Sequence, residues 1–215
     1  MQPKSSVIVI GAQMQDQAAL IAADAPRAVI LTGPGFQDHD LIYCYYRFLE
    51  EGYAVDIATP GGMAVSGKYA VPLSGKMDKT GSPVLSFDDL EVDRYDVVVL
   101  TGGYEAPGRV RRDPKALTFV KGMADAGKVV AGLCHGPWIM ISAKVLEGKT
   151  VCAYIDMKDD MINSGANVIN ARVVRDSNII TASYYAYVGE FMRETFAAVA
   201  ELRQQPQRAL ATAIH

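Results

Sequence analysis

Residues 132–136 read Gly-Leu-Cys-His-Gly, a cysteine and a histidine held between glycines where the apolar run Val129–Leu133 meets Pro137. This G-x-C-x-G pattern is the cysteine counterpart of the serine nucleophile elbow, in which glycines permit a sharp strand-to-helix turn that lifts the reactive side chain above a sheet edge. Pro137 suits the first turn of a helix because it has no N–H to leave unpaired. The positive end of that helix favours thiolate over thiol, so Cys134 is expected to be a nucleophile with a depressed pKa. The backbone N–H of His135 is then placed to stabilise a developing oxyanion, whereas its imidazole meets the sulfur only if the turn is sharp. A buried, inert cysteine at a strand end is the plain alternative. Flanking glycines, a histidine and a helix start are not the surroundings of an ordinary core cysteine.

The elements that must carry this turn are legible as apolar, β-branched runs at 7–10, 28–32, 54–58, 97–101, 128–133, 150–154 and 178–182. Between most of them lie stretches with helical spacing: 39–51, where Leu41, Ile42, Tyr45, Phe48 and Leu49 share a face, and also 114–126, 135–147 and 184–203. Strands alternating with helices predict an α/β fold, a central and mostly parallel sheet flanked by helices on both faces. The Gly- and Pro-containing stretch 61–86 lacks a helical period and reads as a hairpin or long surface loop. Residues 1–27 read as an N-terminal extension, an extra strand or an arm; 28–204 as one domain; and 205–215 as a flexible tail.

Composition narrows the function classes. With 21 Lys and Arg against 24 Asp and Glu the net charge is −3, and without a basic block nucleic acid is not an expected partner. Three widely spaced cysteines, Cys44, Cys134 and Cys152, give neither a disulfide framework nor a CxxC metal motif, which suits a reduced, cytoplasmic setting. His39, His135 and His215 are too dispersed for a metal site, and no run has the length of a signal-peptide core or a membrane span. The stretch 31–36, Leu-Thr-Gly-Pro-Gly-Phe, lacks the spacing of a dinucleotide loop. Asp38 reads as a helix N-cap, Cys44 and Cys152 as core residues, and Trp138 as a packing residue. His39, beside Asp40, is a candidate proton shuttle or substrate contact.

The segment 131–150, AGLCHGPWIMISAKVLEGKT, resembles the nucleophile segment of the ThiJ/PfpI superfamily, whose fold is class I glutamine amidotransferase-like. FQDHDLIYCYYRFLEEGYAVDIAT resembles its first helix, YDVVVLTGG the strand before its oxyanion loop, APGRVRRDPKAL the helix start after it, and DDMINSGANVINARVVRDSNIITA its last strands. The likeness spans residues 28–198 and is strongest to the PfpI-type intracellular protease/amidase branch.

Carried over by position, the resemblance makes Cys134 the nucleophile, His135 its neighbour, Gly103 and the His135 amide the oxyanion donors, and Tyr154 a pocket residue. A carboxyl side chain that bonds the cysteine falls on Asp40, one methylene shorter than the family's usual glutamate, and another family glutamate is Gln37 here. The acid of a cross-subunit triad in protease-like members falls on Gly108, or on Glu105 if Tyr-Glu-Ala-Pro carries an insertion. The resemblance therefore implies a cofactor-independent cysteine enzyme, a homodimer or larger homo-oligomer, acting on a small-molecule 2-oxoaldehyde in glyoxalase III or deglycase fashion. Isonitrile hydration, amide or peptide hydrolysis, and an oxidation-sensing stress protein or chaperone built on Cys134 stand as the other readings.

Overall fold

The computed structural model describes residues 24–70, 72–73 and 84–213. In chain order its elements are β1 (Arg27–Leu31), α1 (Asp38–Glu50), β2 (Ala54–Thr59), β3 (Val65–Ser66), β4 (Pro72–Leu73), β5 (Leu85–Ser86), β6 (Val97–Leu100), α2 (Glu105–Val110), α3 (Pro114–Asp125), β7 (Val129–Leu133), α4 (Pro137–Ser142), β8 (Thr150–Val151), α5 (Lys158–Asn163), β9 (Asn167–Val168), β10 (Val173–Asp176), β11 (Ile179–Ala182) and α6 (Val188–Ala213). Seven strands form one sheet in the order β10-β11-β7-β6-β1-β2-β5. All its pairings are parallel except β10 with β11.

Period-two alternation sorts the strand residues into two cores. Ala28, Ile30, Val97, Val99, Val129, Ala131, Leu133 and Ile180 pack with Leu41, Cys44 and Phe48 of α1 and Phe191 and Met192 of α6. Val29, Leu31, Val98, Leu100 and Val130 pack on the other face with Phe119, Val120 and Met123 of α3 and Ile139 and Met140 of α4. Burial on both faces is why the central strands read as continuous apolar runs. Among the described residues no helix is long and apolar enough to cross a membrane.

Several expectations need correction. The run 150–154 contributes only β8, which pairs with β9 in a separate parallel pair, because Cys152 N–H turns to donate to Thr181 Oγ1. The helix expected over 135–147 stops at Ser142, and two residues later Lys144 takes φ +56. Asp38 is the first residue of α1 rather than its cap; the N-cap is Gln37, and Asp38 accepts instead from the Tyr69 N–H. Helix α6 runs from Val188 to Ala213 and so includes most of the stretch 205–215. The stretch 61–86 holds the antiparallel pair β3–β4 and the edge strand β5; its residues 71 and 74–83, like the run 7–10, lie outside the described residues.

In an open parallel sheet, ligands bind beyond the carboxyl ends of the strands where the strand order reverses. Here the chain steps outward from β1 to β2 on one side and from β6 to β7 on the other. The loops after β1, β6 and β7 therefore meet at one place.

Candidate active site

Cys134 follows β7 directly, its N–H donating to the Ala182 carbonyl at 2.9 Å. Its φ is +56, a left-handed conformation that disfavours an L residue by about 1–2 kcal/mol. The cysteine takes this conformation, and its flanking glycines serve another purpose. A Cβ on Gly136 would lie 2.2 Å from the Leu100 carbonyl oxygen, and one on Gly132 would lie 3.1 Å from Met140 and from Pro137. Both glycines make room, so that α4 can close against β7 and the turn can pass the end of β6.

Asp40, in the first turn of α1, is fully buried. Its Oδ2 accepts the Gly102 N–H at 2.8 Å, and its Oδ1 has no partner among the described residues. Burial raises its pKa from 3.8 to about 8, with the Gly102 hydrogen bond opposing that rise. Asp40 and Cys134 are neighbours across Gly102: a Cβ there would lie 2.7 Å from Asp40 Oδ2 and 2.8 Å from Cys134 Cβ. Gly102, which the sequence did not single out, is thus the contact point of the two groups.

The expected depression of the Cys134 thiol does not occur in the free protein. Burial, followed by the charge on Asp40, pushes it up to about 12, while the N–H groups of His135 and Gly103, aimed at the sulfur, and Lys68 pull the other way. The six residues of α4 are outweighed. A protonated Asp40 removes the second of the two upward causes.

His135 lies almost wholly buried with Nδ1 3.3 Å from Cys134 Sγ, so the turn is sharp enough for the imidazole itself to reach the thiol. Burial lowers its pKa and favours the neutral ring. Tyr104, Tyr154 and Trp138 surround it with ring centroids at 4.5, 4.8 and 4.9 Å. Trp138 thus walls His135 as well as packing, and its Nε1 donates to Asp160 at 2.9 Å. Tyr184 stacks on Tyr154 at 5.8 Å, and beside this pair opens a cleft of about 630 Å³ lined in part by Ile155, Lys158, Ile169 and Tyr187. Lys68, Tyr104 and Tyr184 are not foreseen as site residues, because nothing in their local sequence points to the pocket.

The remaining expected residues are dispersed around this centre. Gln37 is buried and its N–H donates to the Gly102 carbonyl at 3.1 Å, but its side chain pairs with His39 at 2.9 Å. His39 is exposed and stacks on Tyr185 at 5.0 Å. Glu105 is not brought to the sulfur within this chain: it packs over Gly35, is half exposed, and pairs with Arg109 one turn along α2 at 2.6 Å. Gly108 has nothing among the described residues within 4 Å of the place its Cβ would occupy. Cys44 and Cys152 are buried. Among the described residues no three His, Cys, Asp or Glu side chains assemble as a metal-ligand set.

Residues 26–198 match the DJ-1/PfpI family. A deglycase of Pyrococcus horikoshii and Deglycase PfpI of Pyrococcus furiosus are each 40% identical over 171 residues, which are 78% of this chain and 98% of each relative. The crystal structure of Drosophila melanogaster DJ-1beta has the same fold, with a TM-score of 0.71 and 22% identity over 85% of this chain and 98% of that one.

Proposed function

The chain belongs to the DJ-1/PfpI family, and from that premise we propose that it is a cysteine enzyme converting a small 2-oxoaldehyde, such as methylglyoxal, and water into the 2-hydroxy acid. The observation that carries the reading is the pair of Cys134 and Asp40 on either side of Gly102, with the Asp40 carboxyl protonated up to about pH 8 and one of its oxygens without a partner among the described residues. A buried carboxylic acid that still holds its proton near neutrality is a general acid at working pH.

In this reading Cys134 gives its proton to His135 Nδ1 and its sulfur bonds to the aldehyde carbon. The carbonyl electrons move to oxygen, near the Gly103 and His135 amides, and Asp40 protonates that oxygen to give a hemithioacetal. Asp40, now a carboxylate, removes the proton from the former aldehyde carbon and returns it to the adjacent one, while the hydroxyl proton shifts to the neighbouring oxygen. A thioester of the 2-hydroxy acid results. Water then adds to the thioester, its proton returning to Asp40, and the thiolate leaves and recovers its proton from His135. The net change is addition of one water, with no outside oxidant or reductant. The names of the deglycase relatives support a substrate of this electrophilic kind. Peptide hydrolysis is less favoured, because in this chain neither Gly108 nor Glu105 supplies a carboxylate to His135.

The test is methylglyoxal consumption with lactate formation by the purified protein beside Cys134→Ser and Asp40→Asn. Turnover by the wild type with both variants at least about 100-fold slower supports the reading. Turnover retained in either variant contradicts it.

A further inference from the structure

His135 is engaged on one side only. Nδ1 faces Cys134 Sγ at 3.3 Å, while Nε2 is buried without a hydrogen-bond partner among the described residues. A ring whose Nδ1 accepts the thiol proton carries its other proton on Nε2, and once protonated it holds a positive charge in a largely apolar place. Such a charge is costly unless a nearby negative group offsets it.

Asp156 is that group. It lies in the 3-10 turn Ile155–Met157, directly after Tyr154, whose ring is 4.8 Å from His135. Its carboxylate accepts from the Tyr104 hydroxyl at 3.4 Å, and the Tyr104 ring is 4.5 Å from His135. Asp156 is therefore tied to two aromatic walls of the imidazole, to one by the chain and to the other by a hydrogen bond. The charged and titratable groups facing the ring are Cys134, Lys68, Tyr104, Tyr154 and Asp156. Of the two charged residues acting on it, Lys68 opposes a cation there and Asp156 favours one.

We propose that Asp156, acting with Tyr104, is a positioning residue that stabilises the His135 imidazolium formed when the Cys134 thiol passes its proton to Nδ1. The proposal rests on the reading of Cys134 as nucleophile and His135 as its base.

The experiment follows the His135 ring by NMR through a pH titration and measures the rate of Cys134 alkylation by iodoacetamide over the same range. Asp156→Asn is expected to lower the His135 midpoint by about half to one pH unit and to slow alkylation near neutrality by about three- to tenfold. Asp156→Glu restores most of both, Tyr104→Phe gives part of the loss, and Asp159→Asn leaves both unchanged. Because Asp156 is exposed, salt at about 1 M is expected to shrink the difference between wild type and Asp156→Asn. A folded Asp156→Asn with unaltered midpoint and alkylation overturns the proposal, as does an equal shift in Asp159→Asn. Neither readout uses a 2-oxoaldehyde, so absent turnover beside an intact shift counts against the proposed reaction and not against the role of Asp156.

Discussion

At the scale of single residues, the site stores free energy in two places. Cys134 holds a left-handed backbone, so Cys134→Gly is expected to be more stable than Cys134→Ala by about 1 kcal/mol, read by urea unfolding of the two variants. Equal stabilities would mean that the turn relaxes without the cysteine. Asp40 is the second place. It ionises near 3.8 when unfolded but only at about 8 when folded. The folded state holds the extra proton, so this contribution to stability is complete below about pH 4, falls by up to about 1.4 kcal/mol per pH unit as pH rises towards 8, and is level above that. Asp40→Asn keeps an acceptor for the Gly102 N–H without the titration. The excess of its melting temperature over that of the wild type is expected to be largest at about pH 8.5 and to vanish near pH 4, while its activity is lost; a gap independent of pH contradicts the assignment. The sequence displayed the Cys134 turn through its glycines and Asp40 through resemblance. It gave no sign of the bond from Gly102, because a backbone N–H donor has no residue signature.

At the scale of elements, the loops after β1, β6 and β7 converge only because glycines allow close approach. Gly136→Ala would drive a Cβ to 2.2 Å from the Leu100 carbonyl, and is expected to destabilise by about 2–4 kcal/mol, within the range of overpacked and strained sites. Gly108→Ala, in a helix with nothing within 4 Å, is expected to stabilise by about 0.5–1 kcal/mol. Thermal or urea unfolding of the pair checks both signs, and a tolerated Gly136→Ala would show that β7 and α4 do not close as tightly as described. Helix α1 was legible from spacing because one face is buried against the sheet, with Leu41, Cys44, Tyr45 and Phe48 inward. The apolar period that predicts a helix over 135–147 continues to Leu146, whereas a single left-handed residue, Lys144, ends α4 early. Apolar period reports burial, which turns and helices share, and says little about where a helix stops.

At the scale of the whole molecule, the sheet order and the two cores follow from alternating β and α segments, and that alternation is open to a reader of sequence. The aromatic surround of His135 is different. Tyr104, Trp138, Tyr154 and Tyr184 come from four separate loops or element starts, and only the closed fold puts them together. The site's chemistry is therefore readable at the Cys134 turn and its shape is not. The most direct measurement mixes the protein with a large excess of methylglyoxal and records, in one sample, lactate formed per protein and the intact mass of the chain. The expected result is many equivalents of lactate with the mass of Cys134 unchanged at the end. A single stoichiometric adduct on Cys134 with no lactate would contradict it and favour a thiol that is modified once.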